Sequence, residues 1–200
     1  MQAFAKAKGF EEPGYAKFIF SDPRMAVVWL VVRIYVGWQW FTAGMEKFND
    51  PAWTGSESGS AIAGFVGRAL PQTTGAHPNV YTWYASFLQT YVMPHASVWA
   101  YAITFGEILV GLGLIVGLFT GIAAFFGGLM NANYLLAGTV STNPLLFILA
   151  TWIVLAWRVA GYIGLDFFAL QLLGVPGQPG KVFKHDVRVA TPTLAPNPGH

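Results

Sequence analysis

Apolar residues fall into four long blocks along this chain, and the breaks between them are marked by proline, glycine and polar clusters. Asp22-Pro23 has the form of a helix start, with an acid at the cap and proline at the first position. The apolar run that follows, Met25 to Gly44, has about the 20 residues a helix needs to cross a bilayer core. From Glu46 to Pro94 the chain turns polar, with Pro51, Pro71, Pro78 and the cluster Gly55-Ser56-Glu57-Ser58-Gly59-Ser60. Structureless loops of that length are uncommon in compact proteins, so short helices are expected inside it, over Ser60 to Leu70 and Val80 to Val92. The second of these carries Tyr81, Trp83, Tyr84, Phe87 and Tyr91, as a segment lying at a membrane interface would. A second span is expected over about 96–118, a third over 121–139 after the tight Thr120-Gly121 connection, and a fourth over 145–163 after Ser141-Thr142-Asn143-Pro144. Because the last two connections are so short, these helices must be antiparallel neighbours. The expected fold is an all-α membrane protein, a four-helix transmembrane bundle (23–166) with a long outer loop (46–94) of short interfacial helices.

Composition agrees with a membrane setting. Of the 200 residues, 54% are hydrophobic and 10% charged, against about 25% charged in soluble domains. Lipid cannot satisfy backbone polar groups, so only helices or closed barrels span it, and long apolar blocks favour helices. The net charge of +2 and the lack of a basic, aromatic-interleaved run exclude a nucleic-acid surface. With no cysteine, the chain can hold neither a disulfide nor a cysteine-ligated iron–sulfur cluster. The N-terminal segment, with Glu11 and Glu12 amid Lys6, Lys8 and Lys17, does not read as a signal peptide, but a short interfacial helix is expected near Tyr15 to Phe20. Lys6, Lys8, Lys17, Lys181, Lys184 and Arg188 in the two tails, with Arg24 just beyond the first, outnumber Lys47 and Arg68 in the loop. By the positive-inside rule both tails (1–22 and 167–200) face the cytoplasm, in the inner membrane.

A few charged and polar side chains interrupt the apolar blocks. Arg33 shares a helical face with Gly37, Gly44 and Lys47. Glu107 stands in the glycine-rich run of the second span, roughly 16 Å in from its outer end, at about the depth of Arg33, and the two are expected to pair across helices. Arg158 shares a face of the fourth span with Thr151, Leu155 and Tyr162. Asn131, on a face of the third span with Gly127, Tyr134 and Gly138, joins Arg158 and Tyr162 as a candidate lining for a cofactor cleft. Ionisable residues in a membrane are functional hypotheses by default, yet a neutralised pair between packed helices would serve structure equally well. His77, His95, His185 and His200 all fall outside the spans, so no histidine pair faces another to hold a haem, and no metal site is expected.

Arg33, Gly37, Phe41, Gly44 and Lys47 in the first span, Gly106-Glu107, Gly111, Gly117 and Thr120 around the second, and Gly161, Gly164, Leu165 and Asp166 after the fourth resemble the DoxX/DoxD family of four-helix membrane proteins. Pro51-Ala52-Trp53 and the long first loop ending at Pro94-His95 are closer to the DoxD-like branch. The resemblance covers roughly residues 24 to 175. It implies a small membrane subunit of a respiratory or sulfur-oxidising complex, such as a thiosulfate:quinone oxidoreductase. On that reading quinone is the expected cofactor, Glu107 relays protons and Arg33 or Arg158 holds a carbonyl oxygen, while a protein partner carries the redox centre. The alternative is a non-catalytic structural or assembly subunit packed against a larger membrane complex. A transporter is disfavoured, since no internal repeat is visible.

Overall fold

A computed structural model describes residues 12–175, and within them all regular structure is helical. The readings of 1–11 and of 176–200 as charged tails, His185 and His200 included, lie outside the described residues. The chain divides after Phe167 into two units. The second, described from Phe168 to Val175, holds the end of a helix and a turn closed by the Leu173 N–H on the Ala169 carbonyl (3.0 Å).

The first unit begins with α1 (Gly14–Ser21), a helix where one was expected near Tyr15. The Trp29 indole N–H of the next helix reaches back to its Ile19 carbonyl (2.8 Å). Asp22 then caps the chain's turn into α2 (Ala26–Phe48), accepting the Arg24 backbone N–H at 2.9 Å with Pro23 at the first position. Asp50 repeats the device at α3 (Pro51–Thr54), through the Ala52 N–H at 2.9 Å. The long loop continues through α4 (Ser60–Ala69) and α5 (Thr82–Phe87). From α5 a π turn (Leu88–Val92) and a 3₁₀ turn at Pro94 lead into α6 (Ala96–Val116), making one apolar rod of 35 residues, Thr82–Val116. After Gly117, whose φ of +70° suits a residue without a Cβ, come α7 (Thr120–Leu136), α8 (Asn143–Leu155) and α9 (Trp157–Ala160). Asp166–Leu172 forms α10. The fourth block is thus two helices rather than one, broken at Ala156.

Helices α2, α6, α7 and α8 pack in a closed ring, each against the next and α8 back against α2. Val36, Leu114, Ala124, Ile153 and Ala156 fill its centre and are fully buried. A second core lies under the loop helices, where Ile62, Val66, Val80, Tyr84 and Leu88 pack against Ala100 and Ala137. Pro23–Phe48 and Thr82–Val116 are long and apolar enough to cross a membrane.

The contact of α2 with α6 is close because it is lined by glycine. A Cβ on Gly111 would fall 2.5 Å from the Phe41 backbone nitrogen, one on Gly44 2.8 Å from the Ile108 nitrogen, and one on Gly37 3.0 Å from the Gly111 carbonyl. Small residues that let backbones approach are how helices adhere in lipid. These three contacts define one antiparallel register, and that register decides which charges meet.

Candidate functional site

Glu107, 1% exposed, does not pair with Arg33. Its Oε2 accepts from Lys47 Nζ at 2.8 Å and its Oε1 from the Tyr134 hydroxyl at 2.7 Å. The expectation of equal depth failed because the first turns of α6 stand beyond the end of α2. There they pack on the loop helices, with Ser97 Oγ 2.9 Å from Ser58 Oγ and the Tyr101 hydroxyl donating to the Thr54 carbonyl at 2.8 Å. Measured from its own first residue Glu107 is deep, but against α2 it lies beside the last turn. Lys47, on the face already shared with Arg33, is the residue that the register brings to it.

Both carboxylate oxygens are therefore occupied, one by a cation and one by a neutral hydroxyl. The Lys47 ammonium also sits over the Trp53 ring, 5.1 Å from its centroid, which adds a cation–π attraction. Its side chain remains 19% exposed, and this exposure opens on a cavity of about 640 Å³ at the loop end of the ring. Trp40, Glu107 and Tyr134 form the inner wall of this vestibule, while Ser60, Arg68 and Thr142 stand at its exposed rim.

A second cavity, of about 340 Å³, lies behind the first, between the loop helices and α6 and α7. It is apolar and aromatic, walled by Phe65, Tyr84, Phe87, Leu88 and Met130. The two cavities share Trp53, Phe65 and Tyr134. Tyr134 thus presents its ring to an apolar cleft and its hydroxyl to the Glu107 carboxylate, with Phe65 edge-on to it at 6.1 Å. Polar groups at the cleft are held in place too, since the Tyr84 hydroxyl donates to the Asn133 carbonyl (3.0 Å) and side-chain oxygen (3.1 Å).

Asn131, fully buried, makes no hydrogen bond through its amide, and neither does the buried Trp40 indole nitrogen. That nitrogen lies against Gly127, where a Cβ would approach it to 2.9 Å. Asn131 follows one turn later on α7, and helical side chains lean toward the N-terminus, so both groups converge on the same part of the ring's interior.

Arg33 belongs to the opposite end. Its Nη2 donates to the Ile163 carbonyl at 2.8 Å, and Nη1 lies against Gly117 and Gly164, where side chains would collide with it. Asp166, 1% exposed, attracts the guanidinium through space and accepts the Phe119 and Thr120 backbone N–H groups at 2.6 and 2.8 Å. A carboxylate so placed caps α7 and faces the positive end of its dipole. Gly117 and Gly164 leave room for the guanidinium, and Asp166 holds the first N–H groups of α7. Together with Arg33 they lock the ring where α6 passes into α7.

Arg158, Asn131 and Tyr162 do not share a cleft. Arg158 is exposed and stacks over Trp157 (5.0 Å), and Tyr162 is 41% exposed with its ring against Phe167. Gly121 of α7 meets Trp157, beside Arg158, and Asn131 is ten residues further on, roughly 15 Å along the helix. Lys47 and Tyr134 are the functional candidates that reading the sequence missed, although both had been placed on the right helical faces.

A family model described as DoxX matches residues 28–139, more than half of the chain. The protein belongs to the DoxX family. The matched span runs from the start of α2 to the end of α7. It contains Lys47, Glu107, Tyr134, both cavities' inner walls and Arg33, and it leaves out Arg158, Tyr162 and Asp166. Family membership and the two apolar rods make this DoxX chain a membrane protein. No curated protein and no solved structure matches it at a significant level.

Proposed function

We propose that this DoxX chain is the quinone-reactive integral membrane subunit of a respiratory or sulfur-oxidising oxidoreductase. In this reading α2, α6, α7 and the α8–α9 pair all cross the inner membrane, with both termini cytoplasmic. The 17 residues of α7 and the 18 from Asn143 to Ala160 extend roughly 25 and 27 Å, close to the thickness of a hydrocarbon core.

The observation that carries the proposal is the position of the hydrogen-bonded set Tyr134, Glu107 and Lys47 between an aromatic, apolar cleft and a polar vestibule. A quinone supplies two-electron redox chemistry and, on reduction to the quinol, takes up two protons. The cleft residues fit such a group, because Trp53, Phe65 and Phe87 offer faces for a flat ring while Tyr134 stands at the wall with an exchangeable proton. Tyr134 holds that proton toward Glu107 Oε1, and Glu107 is the acceptor or donor on the far side. Lys47, in contact with the vestibule, balances the carboxylate and links it to water at the loop end. Trp53 and Phe65, common to both cavities, keep bulk water out of the cleft. In this reading electrons arrive from a partner protein carrying a redox centre, and with no cysteine the chain does not itself ligate an iron–sulfur cluster.

The test is isolation of the tagged chain with its native partners, lipid extraction for bound quinone, and quinone-linked turnover of the wild type, Tyr134→Phe and Glu107→Gln. Turnover in both variants should fall by a factor of about 100 or more, the usual size of a lost acid–base group, with the assembly intact. A chain that elutes with partners but without quinone, and whose variants lose the assembly rather than turnover, is a structural subunit instead.

A further inference from the structure

A third hollow lies on the outer face of α6 and α7, an apolar groove of about 720 Å³. It follows α6 from Trp99 to Val116, roughly 25 Å at 1.5 Å per residue. Two glycines, Gly106 and Gly113, form its bed, and Leu109, Leu112, Ile122 and Phe126 stand as exposed banks. On a membrane protein such banks face lipid. The groove and the aromatic cleft share Trp99, Ile103 and Met130. Of these, Met130 is an unbranched, flexible thioether, a side chain suited to a passage that must adapt its shape. Three hollows therefore stand in series: a lipid-facing groove, an aromatic cleft, and a polar vestibule beyond the Tyr134–Glu107 pair.

We infer that the α6–α7 groove is the seat of the isoprenoid tail of a long-chain quinone whose ring occupies the cleft, and that Trp99, Ile103 and Met130 mark where the tail enters. The inference rests on the quinone reading of the cleft. It explains two features that the reading leaves aside. One is Gly106 on the outer side of α6, where no close contact calls for a missing side chain, unlike Gly111 against α2 or Gly113, whose Cβ would crowd Ala123 at 3.2 Å and the Leu118 carbonyl at 3.3 Å. The other is an apolar trough that continues an interior cleft toward the bilayer, where the flanking face could have been flat. The occupant has to be a long apolar chain, because the groove is long, narrow and offers it no polar partner. The chain has to belong to a ligand with a compact head, because the cleft it leads to holds about 340 Å³.

Gly106 gives a clean test. A Cβ there would meet only the Met130 sulfur, at the ordinary contact distance of 3.6 Å, so a side chain can enter the groove without displacing backbone. Gly106→Leu, and as a second variant Leu109→Trp at a side chain already 68% exposed, are made in the chain within its native complex. Turnover is measured with a long-tailed isoprenoid quinone and with a short-tailed analogue of the same ring. The expected result is a rise in KM for the long-tailed quinone of about tenfold, the equivalent of two lost methylene contacts. KM for the short-tailed analogue, kcat and the thermal unfolding midpoint stay as in the wild type. Equal KM changes for the two quinones, or none, overturn the tail groove while the quinone reading of the cleft stands. Absence of turnover with either quinone in the wild type overturns both. Loss of a co-purifying phospholipid from Gly106→Leu, with both KM values unchanged, reassigns the groove to a bilayer acyl chain and also overturns the inference.

Discussion

Removing Lys47 should destabilise this protein more than removing Glu107, and the two substitutions should be strongly coupled. In Lys47→Met the carboxylate stays 1% exposed and keeps only the Tyr134 hydroxyl, so an uncompensated charge remains buried. Breaking a buried pair in this way costs about 3–5 kcal/mol. Lys47 is 19% exposed and the vestibule reaches it, so water recovers part of the loss and the lower end, about 3 kcal/mol, is expected. In Glu107→Gln the ammonium is left over Trp53 and can turn toward the vestibule, and the amide keeps a partner in Tyr134. About 1–2 kcal/mol is expected there. The double variant Lys47→Met/Glu107→Gln removes both charges together and should recover at least about 2 kcal/mol relative to the sum of the single losses. The measurement is reversible unfolding of the purified chain in detergent, run as a double-mutant cycle. Coupling below about 0.5 kcal/mol would refute the assignment of Lys47 as the partner of Glu107. An Arg33→Met/Glu107→Gln cycle supplies the contrast, and it should be additive, because these residues occupy opposite ends of the ring.

Three further outcomes follow from the packing and the caps. Gly111→Ala should cost about 1–3 kcal/mol by forcing α2 from α6, whereas Gly67→Ala, where a Cβ meets nothing within 4 Å on a helix, should stabilise by about 0.5–1 kcal/mol; thermal unfolding of both variants separates register packing from general helix propensity. Asp166→Ala should cost about 1–2 kcal/mol, because two backbone N–H groups at the start of α7 lose their acceptor, and Asp166→Asn should restore part of it, read by the same assay. The Arg24 side-chain hydrogen bonds hold the Asp22 carboxyl down to about 2 from an ordinary 3.8. A lowered folded-state pKa means stability that is present above the unfolded value and lost as pH falls. The stability difference between wild type and Asp22→Ala should therefore be constant above about pH 5 and fade between about pH 4 and 2.

Placing the pair at the loop end of the ring changes what it can do. At mid-membrane, locked to Arg33, the carboxylate would have been sealed among apolar side chains. Beside Lys47 it lines the polar vestibule on one side and, through Tyr134, adjoins the aromatic cleft on the other. On the reading proposed above, that placement suits a proton-exchanging group, and the buried amide of Asn131 and the Trp40 indole lie further along the same interior. Arg33, by contrast, is bound to the Ile163 carbonyl and faces a carboxylate already committed to a helix cap, so it serves the end of the ring where α6 turns into α7.

Much of the architecture was legible from local chemistry. Runs of apolar residues bounded by Asp22-Pro23, Gly117 and Asn143-Pro144 mark helix ends because caps and prolines act on the few residues around them, and helical period alone put Arg33, Gly37, Gly44 and Lys47 on one face. Ser60 to Leu70 was likewise readable as a helix within the loop, and it appears as α4. The partner of Glu107 was not readable, because it depends on how far one helix slides past another. That offset is set by Gly37, Gly44 and Gly111 meeting Leu114, Ile108 and Phe41, and by loop helices that hold the first turns of α6 beyond the end of α2. A shift of two turns exchanges Lys47 for a residue near mid-helix without altering any local pattern. The sequence by itself determined helices, faces and a membrane setting. Only the tertiary structure decided the register, and with it the pairing of Glu107 with Lys47 and Tyr134 between the two cavities.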